Sequence, residues 1–329
     1  YKIWKHSNER DIVILDDGKT GHLRQSEAVL KIAKNLFNAK DVNVRVNIVK
    51  VGFKNRVAKI LFNIFTLFSG RYSCQGRLKR LKIFLKEETY KDILNLRADL
   101  VISAGSSTAG VNFILASENQ SQSIVIMRPG LYGADKFDLV IIPRHDRPLK
   151  RKNILTIEGA LNLVDIKYLE DESRELVKSQ GLNKESLYIS LLLGGDSKSF
   201  RLSPGLIRDL IREVKALSKG LGAEILVTTS RRTSSQVEEV IKSEFKDYPG
   251  VRLMVIANEQ NIPQAVGGIL GLSKIVIASP ESISMISEAV NSKRYVFVFK
   301  APGLSFKHKL FLKYFAGKQY IYLVARQVH

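Results

Sequence analysis

Short apolar runs rich in β-branched residues alternate along this chain with segments whose apolar positions recur every three to four residues. The runs predict strands at 12–15, 44–49, 100–103, 124–127, 139–142 and 154–157, and a second series at 187–193, 225–228, 251–256, 275–278 and 295–299. They are nearly continuous rather than alternating. That is the pattern of strands covered on both faces, as in parallel sheets with helices on either side. Within the second series, Leu206, Ile207, Leu210, Ile211, Val214 and Leu217 form one helical stripe, and Pro204 suits the first turn because its missing N–H is not needed there. Residues 161–186 turn polar, with Asp165, Glu170, Asp171, Glu172 and Glu175. The expected organisation is α/β: a Rossmann-like domain over 1–165, a linker at 166–186 and a second Rossmann-like domain over 187–329. The last helix is a candidate to pack back on the first domain. Two such domains are expected to face a central cleft, with ligands at the carboxyl ends of the strands.

Composition narrows the class. The 329 residues are 45% hydrophobic and 26% charged with eight prolines, which excludes a disordered, collagen-like or disulfide-framework chain. The single cysteine, Cys74, excludes an intrachain disulfide and a Cys-based zinc site. No histidine pair has helical metal-ligand spacing, so no metal is expected. The first ten residues lack the apolar core and small-residue cleavage site of a signal peptide, and a cytoplasmic setting is expected.

Charge is the outlier, with 52 Lys and Arg against 32 Asp and Glu, a net +20. A balance this basic calls for an anionic partner. No acid lies between Asp41 and Glu87, whereas Lys54, Arg56, Lys59, Arg77, Lys79, Arg80, Lys82 and Lys86 all do. In the same window Phe53, Val57, Ile60, Leu61, Ile64, Phe65 and Phe68 recur at helical spacing. An ordinary helix with its apolar face in the core accounts for this pattern, and so does a surface resting on an anionic leaflet. A second acid-free stretch follows Glu288. No zinc-finger or RRM-like motif accompanies the basic residues, so nucleic acid is not the expected partner.

Candidate chemistry lies in loops that follow predicted strands. They are Asp16-Asp17-Gly18-Lys19-Thr20-Gly21-His22, Ala104-Gly105-Ser106-Ser107-Thr108, Gly194-Gly195-Asp196-Ser197-Lys198-Ser199 and Thr228-Thr229-Ser230-Arg231-Arg232-Thr233. Such loops are expected to expose backbone N–H groups at helix N-termini, where the dipole favours an anion. Any one of them is also ordinary turn chemistry; four together point to a phosphorylated ligand. Arg231 and Arg232 are candidates for charge-assisted contacts to a diphosphate. A fifth segment, Ser279-Pro280-Glu281-Ser282-Ile283-Ser284-Met285-Ile286-Ser287-Glu288, opens another helix. Its serines serve equally as caps, and Glu288 as a ribose ligand or an exposed helix residue. Arg144, His145 and Asp146 form a polar cluster directly after a strand, read as a structural ion pair or as groups facing the cleft.

These motifs resemble the mitochondrial fission Elongated-Mitochondria-type family. The resemblance rests on Asp17 to His22 with Gln25, Phe137 to Pro148, Gly194 to Pro204, Thr228 to Thr233 and Ser282 to Ala289, in order along the chain. It implies two functions of different kinds. Plant members promote mitochondrial division by recruiting a dynamin-related GTPase, which implies a membrane adaptor with a protein partner. Bacterial members look like GT-B glycosyltransferases, with two Rossmann-like domains. The chain also looks distantly similar to the lipid-linked N-acetylglucosaminyltransferase of peptidoglycan synthesis. That likeness implies a nucleoside diphosphate sugar as donor, a membrane-associated or glycan acceptor, and no required cofactor. The expected donor ligands are Gly194, Gly195, Ser197, Lys198, Thr229, Ser230, Arg231, Ser284 and Glu288. Gly18, Lys19, Gly21, Ser106, Arg144 and His145 are expected on the acceptor side, with His22 or Asp17 as general base. A GT-B epimerase would use the same donor pocket. A peripheral position on the cytoplasmic membrane face follows from the lipid acceptor. Asp196 departs from the Asn or Ser usual at its position, and a carboxylate there repels a diphosphate.

Overall fold

A computed structural model describes residues 8–70, 76–197, 200–260 and 262–324. The chain divides into two compact units, residues 1–163 and 164–329. The first contains, in order, β1 (Glu9–Asp16), α1 (Thr20–Asn38), β2 (Asn43–Lys50), α2 (Arg56–Leu67), α3 (Arg77–Phe84) and α4 (Glu87–Leu94). It continues with β3 (Leu100–Ala104), α5 (Ser106–Asn119), β4 (Gln122–Ile126), β5 (Leu139–Pro143) and β6 (Ile154–Ile157). Its strands form one parallel sheet ordered β2-β1-β3-β4-β5-β6.

The second unit opens with α6 (Ile166–Gln180), β7 (Tyr188–Leu192), α7 (Pro204–Leu221), β8 (Glu224–Thr228), α8 (Ser235–Phe245) and β9 (Val251–Val255). It closes with α9 (Ala265–Leu272), β10 (Ser273–Ala278), α10 (Ile283–Asn291), β11 (Tyr295–Phe299), α11 (Phe306–Gly317) and β12 (Tyr322–Val324). These strands make a second parallel sheet, ordered β12-β11-β10-β7-β8-β9.

Alternation of side chains across each strand splits the core of each unit into two layers. In β1, Ile12 and Ile14 pack with Val29 and Ala33 of α1, while Val13 and Leu15 pack on the opposite face with Val111 and Phe113 of α5. In β7, Ile189 and Leu191 join Ile207, Leu210 and Ile211 of α7; Tyr188 and Leu192 join Ile286 of α10 and Phe311 of α11. As expected, Pro204 lies in the first turn of α7, behind the Ser203 cap that accepts from the Leu206 N–H at 3.2 Å.

Two expectations need correction, and one strand is added. Residues 166–186 are not a linker: α6 supplies Leu169 and Leu176, and the turn beyond it Leu182, to the core of the second unit. Its acids are confined to the other positions of an amphipathic helix, so composition concealed the buried stripe. The last helix belongs to the second unit: Phe311, Leu312 and Phe315 of α11 lie in that unit's core. The three-residue edge strand β12 lies in the apolar run Tyr320-Ile321-Tyr322-Leu323-Val324 and adds to the strands predicted above.

Candidate functional site

In each unit the sheet order reverses direction at one point, between β1 and β3 in the first and between β7 and β10 in the second. The loops leaving the carboxyl ends of such neighbours run to opposite faces of the sheet and open a crevice where α/β proteins bind ligands. Both reversal points carry the polar motifs.

In the first unit, Asp17 follows β1 and Gly105 follows β3. The Asp17 carboxylate accepts from Ser107 Oγ at 2.8 Å and lies 3.0 and 3.1 Å from His22 Nδ1 through its two oxygens. Lys19 Nζ adds an ion pair at 3.1 Å, although Lys19 itself is exposed. Burial alone would raise the pKa of Asp17, but the Ser107 hydroxyl, Lys19 and His22 together outweigh it and hold the carboxyl below its ordinary value. It is therefore an acceptor only, so His22 donates through Nδ1–H and presents Nε2 as the basic nitrogen. Burial lowers the His22 pKa, against the opposing pull of Asp17, and favours the neutral ring. Gly105 seats that ring. Its φ is +78°, and a Cβ there would stand 2.8 Å from His22 Cε1. Gly18, with φ +80°, turns the chain so that its N–H meets Asp16 Oδ1 at 2.8 Å.

The remaining acceptor-side candidates divide. Gly21 lies in the open first turn of α1. Ser106 packs against Gly130, so Ser107 rather than Ser106 reaches Asp17. Arg144 and the buried His145 follow β5, three strands from β1, about 14 Å away along the sheet at ~4.8 Å per strand.

In the second unit three loops meet. Gly194 N–H donates to Ser279 Oγ at 2.9 Å and Gly195 N–H to Glu281 Oε1 at 2.7 Å. Asp196 N–H donates to the Arg232 carbonyl and Ser197 N–H to that of Phe200, both at 2.8 Å. The expectation that this loop presents open amides is therefore corrected. The N–H groups of Gly194, Gly195, Asp196 and Ser197 are taken by acceptors from the β10 and β8 loops and from the loop's own turn. Close approach explains the glycines: a Cβ on Gly195 would lie 2.2 Å from the Arg232 backbone, and one on Gly194 1.8 Å from Glu281 Oε1. Asp196 accepts from the Leu202 N–H at 3.0 Å and so shapes the same turn. Thr229 and Ser230 also hold their turn, through Ala257 N–H at 2.9 Å and Arg232 N–H at 3.1 Å. Ser197 Oγ is buried with no partner among the described residues. Lys198 lies outside the described residues.

Arg231 and Arg232 are exposed on the β8 loop. Ser284, exposed, and Glu288, buried, share one face of α10 a turn apart. The Ser282 side chain makes no cap bond to the first-turn amides of α10.

The profile of the mitochondrial fission ELM1 family matches residues 20–328. The chain belongs to that family. The uncharacterized protein RP120 of Rickettsia prowazekii is 26% identical over 270 residues, 72% of this chain and 75% of its own. The fold is GT-B. The UDP-GlcNAc 2-epimerase of Methanocaldococcus jannaschii superposes with a TM-score of 0.57 at 12% identity, over 96% of this chain and 89% of that one. The Neisseria meningitidis UDP-GlcNAc 2-epimerase, solved with UDP-GlcNAc bound, gives 0.50 at 13% identity over 96% and 87%.

Three residues of the ELM1-family chain join these clusters without having been singled out. Ser107 lies beside a candidate in the same loop, and only the helix face separates the two. Glu281 lies within the fifth motif and is 3% exposed, with Oε2 lacking a partner among the described residues. Burial pushes its carboxyl up to about 7, against the Gly195 amide and Arg232. His308, in the first turn of α11, reaches the Glu281 carbonyl and bonds Ser305 Oγ through Nδ1 at 2.6 Å. No signal in the sequence marks it.

Proposed function

We propose that this chain is a GT-B glycosyltransferase that moves a sugar from a nucleoside diphosphate sugar to a membrane-associated or glycan acceptor. The observation that carries the reading is the Asp17–His22 pair, a histidine fixed in one tautomer with a basic nitrogen left over. On this reading His22 Nε2 takes the proton of the acceptor hydroxyl, whose oxygen bonds to the anomeric carbon as the bond from that carbon to the diphosphate breaks. Asp17 orients the ring and stabilises the imidazolium that forms. In the second unit the α10 N-terminus, Arg231 and Arg232 neutralise the departing diphosphate, a role that charge and dipole fulfil together. Ser284 and Glu288, on one face of α10, serve the ribose side of the donor.

The two superposed epimerases favour a second reading, in which the same donor site supports interconversion of the sugar without an acceptor.

Incubation with a panel of nucleoside diphosphate sugars, with and without membrane lipid extract, separates the two. Nucleotide release that requires lipid is expected, and sugar interconversion without lipid would replace the first reading by the second. Asp17→Asn is expected to lower the rate by about 10²–10⁴-fold. Because the neutral ring is the active form and its pKa is lowered, activity should fall only on the acid side of an ordinary histidine, below about 6.5. No binding of any nucleotide sugar, with Glu288→Ala equally silent, would end both readings.

A further inference from the structure

Helix α2 is apolar on two faces, and only one of them is used. Phe62 is fully buried, and with Phe65 it packs on Phe53 and Phe84 at ring separations of 5.3 to 6.1 Å. Asn63 accepts from Tyr132 Oη at 2.8 Å, and Lys136 Nζ donates to the carbonyls of Thr66, Leu67 and Ser69 at 3.3, 3.0 and 2.6 Å. The inner side of the helix is thus packed within its own unit.

The outer side is not. Val57, Ile60, Leu61, Ile64, Leu67 and, just past the helix, Phe68 are between 37% and 83% exposed. At ~100° per residue they fall within about 120° of the circumference, one continuous stripe with no charge in it. Ile83 of α3 is also exposed, at 65%. Monomeric proteins rarely leave an apolar face of this kind in water, so it marks a docking surface.

Charge says what docks. The stripe is bordered by exposed Lys54 and Arg56 at its amino end and by exposed Lys79, Arg80 and Lys82 on α3. Arg80 lies over the Phe65 ring at 5.9 Å and Lys59 over Phe53 at 5.6 Å, which ties both cations to α2. Two nearby acids have partners: Glu87 pairs with Lys91 at 2.8 Å and also faces Lys82 and Lys54, and Glu118 accepts from the α3 amides of Arg77 and Leu78. Large aliphatic and aromatic side chains on one helix face, flanked mainly by cations, match the boundary between acyl chains and anionic headgroups. Among the described residues no helix is long and apolar enough to cross a membrane, so α2 lies along the surface rather than through it.

We propose that the outer face of α2, with the basic side of α3, docks this chain on an anionic lipid bilayer, independently of any activity at the two clusters. Flotation with phosphatidylcholine–phosphatidylglycerol vesicles and with phosphatidylcholine alone tests it, with sedimentation velocity on the same samples. Binding to the mixed vesicles is expected, at least about tenfold stronger than to phosphatidylcholine and weakened by salt. The double variant Ile64→Asp/Phe68→Asp should lose it by more than about tenfold, with an unchanged thermal melt because both sites are exposed. Lys79→Glu/Lys82→Glu should lose the preference for the anionic lipid. Two results overturn the proposal. One is equal or absent binding to the two vesicle types. The other is a self-associating wild type that becomes monomeric in Ile64→Asp/Phe68→Asp, which would make the face an interface between copies.

Discussion

The Glu281 carboxyl places one oxygen on the Gly195 amide and buries the other without a partner among the described residues. Its value near 7 lies above the ordinary 4.5, so between those limits the native state binds more protons than the unfolded chain. Stability must then fall as pH rises through that window. Glu281→Gln keeps an acceptor for Gly195 and removes the ionisation. A higher melting temperature than wild type at pH 8, on the order of 5 °C, and no gain at pH 5 are expected by differential scanning fluorimetry. The same shift at both pH values would show that the carboxyl is not desolvated. Asp17 and His22 were legible in the sequence because they share one short loop and helix start. Ser107 and Glu281 were not, because their partners lie far along the chain: 90 residues separate Ser107 from Asp17 and 86 separate Glu281 from Gly195.

At the scale of elements, hydrophobic period identified nearly every strand, since parallel strands buried on both faces leave uninterrupted apolar runs. Helix faces were harder. In α6 the acids disguised a packed helix, and its contact with α9 depends on glycine. A Cβ on Gly268 would stand 2.7 Å from Leu176 Cβ and 2.9 Å from the Glu172 carbonyl, and one on Gly271 2.6 Å from that of Leu169. Gly268→Ala should therefore force the helices apart and destabilise the second unit by about 1–3 kcal/mol, despite the better helix propensity of alanine. Denaturant unfolding measures this, and a neutral or stabilising result would mean that α6 shifts without penalty. In α2 the helical spacing was read from Val57, Ile60, Leu61, Ile64 and Phe65 without Phe62, and nothing local says whether Phe62 or Ile64 turns inward. Phe53, Phe84 and Tyr132 decide it.

For the molecule as a whole, each unit has its own sheet and two core layers of its own. A fragment of residues 164–329 is accordingly expected to unfold cooperatively by circular dichroism, whereas one starting at 187 should not, because it lacks Leu169, Leu176 and Leu182. Similar melts for both fragments would return 166–186 to the status of a linker. The net charge of +20 belongs to this scale too, and part of it borders the exposed stripe of α2. By itself the sequence determined the α/β class, the two-unit plan, the loops that hold the candidate residues and the family, since these depend on local period, turn composition and short motifs. The tertiary structure alone decided which serine meets Asp17, which acceptors occupy the Gly194–Gly195 amides, and which face of α2 stays in water. Those outcomes depend on contacts between residues far apart in the chain, and a pattern of period 2 or 3.6 carries no information about them.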